Sequence, residues 1–216
     1  KLHCEMTTKK IVILANGDFP THSVPIKVLR EAEFIVCCDG AANSLIRAGM
    51  EPDLIIGDLD SLERENNDRF KDKIIQISEQ ETNDLTKAFE YSLSLNPSEI
   101  KILGATGKRE DHTIGNISLL SQFGGKTHVP LQMITDYGIF TPIFNTAKFN
   151  SKRGDKVSVF SLDCNLELES EGLEYPLKEV KFDSWWKATL NIASGDNFTI
   201  SFPKGAGRVI VFTTHQ

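Results

Sequence analysis

The chain has 216 residues, of which 40% are hydrophobic and 25% charged, with a formal net charge of −6. These values are typical of a globular protein that buries a core without disulfides or structural metal. The acidic balance argues against a nucleic-acid partner, because phosphate backbones require a basic surface. No apolar stretch approaches the roughly 20 residues of a membrane helix, so no membrane partner is expected.

The cysteines indicate a reducing compartment. Cys4, Cys37, Cys38 and Cys164 form no CxxC pair, which argues against zinc, and the adjacent pair lies in an apolar run typical of buried thiols. A cytoplasmic location is therefore expected. The first nine residues are polar and are predicted to be disordered.

Short apolar runs alternate with helical patterns through the first part of the chain. In chain order, strands are predicted at Ile11–Ala15, Phe34–Cys38, Leu54–Ile56, Ile74–Ile77, Ile100–Leu103 and Leu131–Thr135. Helices are predicted between them at Val24–Ala32, Ala41–Ala48, Asn83–Leu95 and about 111–123. This alternation predicts a parallel sheet covered by helices on both faces.

After about Tyr137 the pattern changes to short β-rich runs separated by glycine-containing turns. Strands are predicted at Val157–Leu162, Leu166–Glu169, Asn197–Phe202 and Arg208–Thr213. The predicted fold is therefore an N-terminal α/β domain over residues 1–136, followed by an antiparallel β-sandwich or barrel over residues 137–216.

Acidic residues follow the predicted strands, at the edge where parallel sheets bind ligands. They are Asp18, Asp39, Asp58, Asp60, Asp84 and Asp111. The i, i+2 spacing of Asp58 and Asp60 places two carboxylates on one side of an extended segment, as a magnesium site requires. Two solvated loop aspartates would show the same spacing.

Two further segments could bind phosphate. Asp84 and Lys87 stand at i, i+3 where a helix begins, which fits either a metal ligand beside a phosphate-binding lysine or ordinary capping by Thr82 or Asn83. The run from Gly104 to His112 is glycine-rich, contains Arg109 and leads into a helix, although it is no Walker A loop. An ordinary strand-to-helix turn fits it as well.

Two aromatic features are less specific. His112 at a helix start is more typical of a hydrogen-bond partner than of a base. Trp185 and Trp186 could stack on a flat ring, but a core or interface position is favoured.

Four blocks, in order, resemble the thiamine pyrophosphokinase family. They are Asp39-Gly40-Ala41-Ala42-Asn43, then Pro52-Asp53 with Gly57-Asp58-Leu59-Asp60-Ser61, then Gln80 with Asn83-Asp84-Leu85-Thr86-Lys87, and last Gly107-Lys108-Arg109-Glu110-Asp111-His112 followed by Asn116. Gly172-Leu173-Glu174-Tyr175-Pro176-Leu177 is similar to a C-terminal segment of the family.

The chain departs from the family pattern at four positions. Asn83 stands where threonine is usual, and Lys108 where glycine is usual. Leu190-Asn191 aligns with a Ser-Asn pair of the thiamine site, so the serine is missing. Phe212 aligns near a tryptophan that stacks on thiamine.

The resemblance implies Mg²⁺-dependent transfer of pyrophosphate from ATP to the thiamine hydroxyl, with release of AMP. It implies that residues 1–136 bind ATP and residues 137–216 bind thiamine, in a homodimer with thiamine between subunits. The implied metal ligands are Asp58, Asp60, Asp84 and Asp111, with Lys87 and Arg109 offsetting phosphate charge and Asp84 or Asp111 accepting the proton. The implied nucleotide and thiamine contacts are Asn16, Gly17, Asp39, Gly40, Asn43, Gln80, His112, Asn191 and Phe212.

Two alternatives remain open on sequence alone. The missing serine leaves room for another acceptor, such as a hydroxymethylpterin. A non-catalytic thiamine or nucleotide sensor is the other alternative, although such a protein would not need to keep these aspartates beside a basic loop.

Overall fold

The computed structural model describes residues 8–79 and 81–215. Their contacts divide the chain into two units. The first runs to Leu119 and includes Thr127–Asp136, and the second comprises Leu120–Lys126 and the chain from Tyr137. None of the helices in residues 8–79 and 81–215 combines the length and apolar character needed to cross a membrane.

The first unit contains six strands that pair in parallel, in the order β6-β5-β1-β2-β3-β4. The strands are β1 (Lys10–Leu14), β2 (Phe34–Cys38), β3 (Leu54–Gly57), β4 (Ile74–Gln76), β5 (Glu99–Leu103) and β6 (Leu131–Ile134). The central strands are buried almost throughout, as their continuous apolar runs predict.

Five helices connect these strands: α1 (Ser23–Arg30), α2 (Ala41–Arg47), α3 (Arg64–Arg69), α4 (Asp84–Ser94) and α5 (Glu110–Gly125). Helix α4 buries Leu85, Ala88 and Phe89 on one face. Its start is capped by Asn83, whose side-chain oxygen accepts a hydrogen bond from the Thr86 amide at 2.9 Å. Asn83 rather than Thr82 therefore sets the beginning of this helix.

The second unit contains two antiparallel sheets, in the orders β11-β9-β13-β7 and β10-β12-β8. The strands are β7 (Gly138–Ile143), β8 (Ala147–Asn150), β9 (Lys156–Ser161), β10 (Glu169–Glu171), β11 (Ala188–Ile192), β12 (Asn197–Ser201) and β13 (Val209–Thr214). A buried core takes residues from both sheets, including Val159, Phe198 and Val211. The predicted combination of a parallel α/β part and a β-sandwich is confirmed.

Several element predictions were wrong in detail. The strand predicted at Leu166–Glu169 begins only at Glu169, because Leu166 and Leu168 are buried from a loop. Strands β7, β8 and β11 and helix α3 were missed. In β11 the regular alternation is broken, since the register shifts between Ala188 and Asn191 and Leu190 adopts a φ of 59°.

Candidate active site

A cavity of about 520 Å³ opens at the carboxyl edge of the parallel sheet. The strand order reverses between β1 and β5, and the loops after these two strands line the cavity together with those after β2 and β3. Crevices at such reversal points are the usual ligand sites of open parallel sheets. The predicted site residues that line it are Asn16, Gly17, Asp39, Asp58, Asp60, Asp84, Arg109 and His112.

The loops after β1 and β5 are held together by backbone hydrogen bonds. The Gly17 amide donates to the Gly104 carbonyl at 2.6 Å, and the Asp18 amide donates to the Thr106 carbonyl at 2.9 Å. A Cβ atom at Gly17 would lie 2.3 Å from the Thr106 carbonyl oxygen. Glycine is therefore required at this position by the close approach of two backbones.

Asp39, Asp58 and Asp60 form an acidic cluster in the cavity. One oxygen from each carboxylate lies within 4.8 Å of the others. The family resemblance implies that Asp39 is a nucleotide contact, and the structure brings its carboxylate within 4.8 Å of Asp58 and Asp60, two of the implied metal ligands. The spacing of Asp39 and Asp58 along the chain does not predict this contact. The two residues meet because β2 pairs with β3.

Asp39 is the buried member of this cluster, with 3% of its surface exposed. Its Oδ2 accepts a hydrogen bond from the Ser61 amide at 2.9 Å, whereas Oδ1 has no hydrogen-bond partner within the described residues. Burial raises the pKa of Asp39 to about 6, with a further contribution from the neighbouring Asp60. A buried carboxylate oxygen without a donor is an unfavourable arrangement unless a proton or cation is bound there.

Asp84 lies beside the cluster, at the start of α4. A Cβ atom on Gly57 would lie 3.2 Å from the Asp84 carboxylate and 3.0 Å from the Asp39 Cβ, so the absence of a side chain at Gly57 lets the two aspartates approach. Burial raises the pKa of Asp84, while the nearby Lys87 opposes that shift.

Lys87 is buried, with 5% of its side chain exposed. Its Nζ lies 3.4 Å from Asp84 Oδ1 and donates to the Ile77 carbonyl at 3.2 Å. Lys87 does not line the cavity, and its contacts indicate that it stabilises the ionised form of Asp84.

Replacing Lys87 with methionine should raise the pKa of Asp84, because the largest influence that lowers it is lost. If ionised Asp84 is needed for activity, the acidic limb of the kcat/KM profile should move to higher pH. Measurement of that profile from roughly pH 5 to pH 9 tests this expectation. An acidic limb identical to that of the wild type would contradict it, and Lys71→Met, at an exposed lysine, is the matched control.

Arg109 and Asp111 form a two-point ion pair at the start of α5. Arg109 Nε donates to Asp111 Oδ1 at 3.1 Å, and Nη2 donates to Oδ2 at 2.5 Å. The guanidinium lowers the pKa of the Asp111 carboxyl. Arg109 lines the cavity whereas Asp111 does not, and Asp111 is not a member of the acidic cluster.

Gly40 and Asn43 are buried and do not line the cavity. The Asn43 side-chain amide donates to the Ser61 carbonyl at 2.9 Å, and its oxygen accepts from the Glu63 amide at 3.1 Å. A Cβ atom at Gly40 would lie 2.9 Å from the Ser61 Cβ. Both residues therefore position the loop that carries Asp58 and Asp60.

The two predicted thiamine contacts belong to the second unit. The Asn191 side chain is buried and bonds to the backbone of Tyr175, accepting at 3.1 Å and donating at 2.7 Å. Phe212 packs against Phe140 with a ring separation of 4.6 Å. Gln80 lies outside the described residues. Trp185 and Trp186 are exposed, so they are not core residues, and the interface position stays a prediction.

The second unit also contains a cavity of about 850 Å³, which the sequence did not indicate. Loops around residues 162–167 and 201–206 line it. Arg208 pairs with Asp163 near this opening, through its backbone amide at 2.7 Å and its guanidinium at 3.6 Å.

Known proteins of one family are similar to this chain. The family model described as "Thiamin pyrophosphokinase, catalytic domain" matches residues 26–133, and "Thiamin pyrophosphokinase, substrate-binding domain" matches residues 138–212. Thiamine pyrophosphokinase of Bacillus subtilis (strain 168) is 32% identical over 179 residues, which are 78% of this chain and 82% of that protein.

Solved structures have the same fold. The crystal structure of Bacillus subtilis thiamine pyrophosphokinase superposes with a TM-score of 0.78 at 24% identity, covering 96% of this chain and all of that one (100%). The thiamin pyrophosphokinase of Candida albicans gives a TM-score of 0.79 at 21% identity, covering 98% and 90%. Two consecutive family models and a relative matched over most of its length lead to one conclusion: the chain belongs to the thiamin pyrophosphokinase family.

Proposed function

We propose that this protein transfers the pyrophosphoryl group of ATP to the hydroxyl of thiamine, giving thiamine pyrophosphate and AMP. The observation that carries the proposal is the acidic cluster of Asp39, Asp58 and Asp60, which faces the glycine-rich loop before α5 across one cavity. Family membership supports the choice of thiamine as acceptor and ATP as donor.

The cluster fits Mg²⁺ by its chemistry. Three carboxylates supply oxygen ligands, and Mg²⁺ is typically held by one or two carboxylates together with water and phosphate. Oδ1 of Asp39, which has no hydrogen-bond partner among the residues that the structure describes, would be stabilised by a bound cation. Asp39, Asp58 and Asp60 would therefore hold the ion, with Asp84 beside them, and bound Mg²⁺ would neutralise charge on the polyphosphate.

The other residues of the cavity have distinct proposed roles. Arg109, held by Asp111, is positioned to bind phosphate oxygens through its remaining donors. Asp84 is assigned as the acceptor of the thiamine hydroxyl proton, because it lines the cavity and has a raised pKa. Asp111 is the weaker candidate, since its carboxylate is occupied by Arg109 and its pKa is lowered.

The broader assignments are also proposals. Residues 1–136 would bind ATP, and residues 137–216 would bind thiamine through contacts that include Asn191 and Phe212. We further propose that the protein is a cytoplasmic homodimer with no nucleic-acid or membrane partner.

The test is AMP release from ATP at saturating Mg²⁺, with and without thiamine. We expect thiamine-dependent AMP in equal amount to thiamine pyrophosphate, and no turnover when EDTA removes the metal. Release of ADP would instead indicate attack at the γ-phosphorus and a simple kinase. Faster turnover of a hydroxymethylpterin than of thiamine would change the acceptor, and nucleotide binding without turnover would indicate a sensor.

A further inference from the structure

Lys108 occupies a backbone conformation that favours glycine. Its φ is 55°, in the left-handed region, and it directly follows Gly107, whose φ is 79°. A side chain in this region costs folding free energy, which glycine at the same position would avoid. Strained residues of this kind concentrate at functional sites, which suggests that the Lys108 side chain has a functional role.

The Lys108 ammonium lies in the cavity and joins its two sides. Nζ donates to the Asn16 carbonyl at 3.0 Å and to the Asn16 side-chain oxygen at 3.2 Å. Both acceptors are neutral, and an ammonium carries three donors, so one N–H and the full charge are available to a ligand. Within residues 8–79 and 81–215, Lys108 forms no ion pair with a carboxylate.

Lys108 therefore differs from the other cations of the site. Arg109 is paired with Asp111, and Lys87 is buried against Asp84. The cavity wall otherwise carries four aspartates, Asp39, Asp58, Asp60 and Asp84. A polyphosphate entering this negative field is attracted by a cation whose charge is not already offset.

The position of Lys108 also suits an anion. It lies two residues before α5, whose 16 residues direct the positive end of the helix dipole towards the loop. Gly104 and Gly107 have positive φ angles and no side chains, so a ligand can approach the backbone next to Lys108. The ligand chemistry indicated by these features is a phosphate oxygen.

We propose that Lys108 binds a phosphate oxygen of the nucleoside triphosphate in this cavity. The inference rests on the proposed function, since it requires a nucleotide in the cavity. On binding, the ammonium keeps the loops after β1 and β5 together through Asn16 while its third N–H contacts the phosphate.

Calorimetric titration with α,β-methylene-ATP and Mg²⁺ tests the proposal. This analogue cannot be cleaved at the bond that the proposed reaction breaks. Lys108→Met and Lys108→Gly should each raise its Kd roughly tenfold, and Lys108→Arg should restore most of the affinity. Raising NaCl should weaken wild-type binding more steeply than binding to the methionine variant. Lys71→Met, which removes an exposed lysine outside the cavity, is the matched control.

Thermal unfolding separates this role from a purely structural one. Lys108→Gly should keep or raise the Tm while weakening nucleotide binding, because glycine adopts the left-handed conformation without strain. A lysine that served only to tie the two loops would give a lower Tm in both variants and an unchanged Kd, and that result would overturn the proposal.

The outcomes also separate this inference from the proposed function. Wild-type thiamine-dependent AMP release together with wild-type nucleotide affinity in the Lys108 variants would refute only the role of Lys108. A wild-type protein that binds no α,β-methylene-ATP would refute both.

Discussion

Replacing Asp39 with asparagine should abolish activity and stabilise the metal-free protein. Activity should fall by roughly a thousandfold, because the buried carboxylate of the proposed Mg²⁺ site is lost. Stability should rise because the introduced amide side chain carries no charge and could donate to Asp60, one of the groups that disfavours ionised Asp39. Loss of function with gain of stability is expected where an active site holds a charge that folding alone disfavours.

The pH dependence of this effect follows from the raised pKa. The pKa of Asp39 is about 6 in the folded protein and near its ordinary value of 3.8 in the unfolded chain, so ionisation opposes folding at neutral pH. The cost is fully present above about pH 6, with an upper limit of about 3 kcal/mol, and disappears as the pH falls towards about 4. The stability advantage of Asp39→Asn should therefore shrink between about pH 7 and about pH 4.5.

Thermal unfolding in EDTA and in Mg²⁺ checks both halves of the prediction. Mg²⁺ should raise the Tm of the wild type and leave that of Asp39→Asn unchanged, because only the wild type binds the ion in its folded state. Asp68→Asn, which removes an exposed carboxylate of α3, is the matched control. A metal-free Asp39→Asn protein that is less stable than the wild type at neutral pH would contradict the argument.

Replacing Gly17 with alanine should reduce activity roughly a hundredfold through geometry alone. The added Cβ would lie 2.3 Å from the Thr106 carbonyl oxygen and 2.5 Å from the Gly104 carbonyl oxygen. Both obstacles are backbone atoms, so the loops after β1 and β5 must separate. Displacement of positioning groups by about 1 Å is sufficient for a loss of this size, and we expect the unfolding free energy to fall by about 2–3 kcal/mol.

Gly115→Ala is the control for the Gly17 variant. Gly115 lies within α5, and a Cβ there meets nothing within 4 Å. Alanine should stabilise that helix by about 0.5–1 kcal/mol and leave the cavity unchanged. Urea unfolding and AMP release from both variants give the comparison. Wild-type activity in Gly17→Ala would mean that the two loops tolerate separation and do not position the nucleotide.

Much of the first unit was predictable because its information is local. Continuous apolar runs identify strands buried on both faces, and the residues directly after those strands must lie at one edge of the sheet. That rule places Asp18, Asp39, Asp58, Asp60, Asp84 and Asp111 at this edge, but it does not indicate which of them meet. The second unit was less predictable, since β11 breaks its alternation at Leu190 and a loop supplies Leu166 and Leu168 to the core.

Local sequence patterns therefore predict the order of the elements, the edge of the sheet that carries the site and the residue types available there. Which of these side chains meet, and how their charges pair, depends on the three-dimensional fold. It placed Asp39 beside Asp58 and Asp60, turned Lys87 inward to Asp84, paired Asp111 with Arg109 and left Lys108 facing the cavity. These contacts could not be predicted from the sequence, because burial and charge pairing depend on segments that are distant in the chain, and local patterns do not encode them.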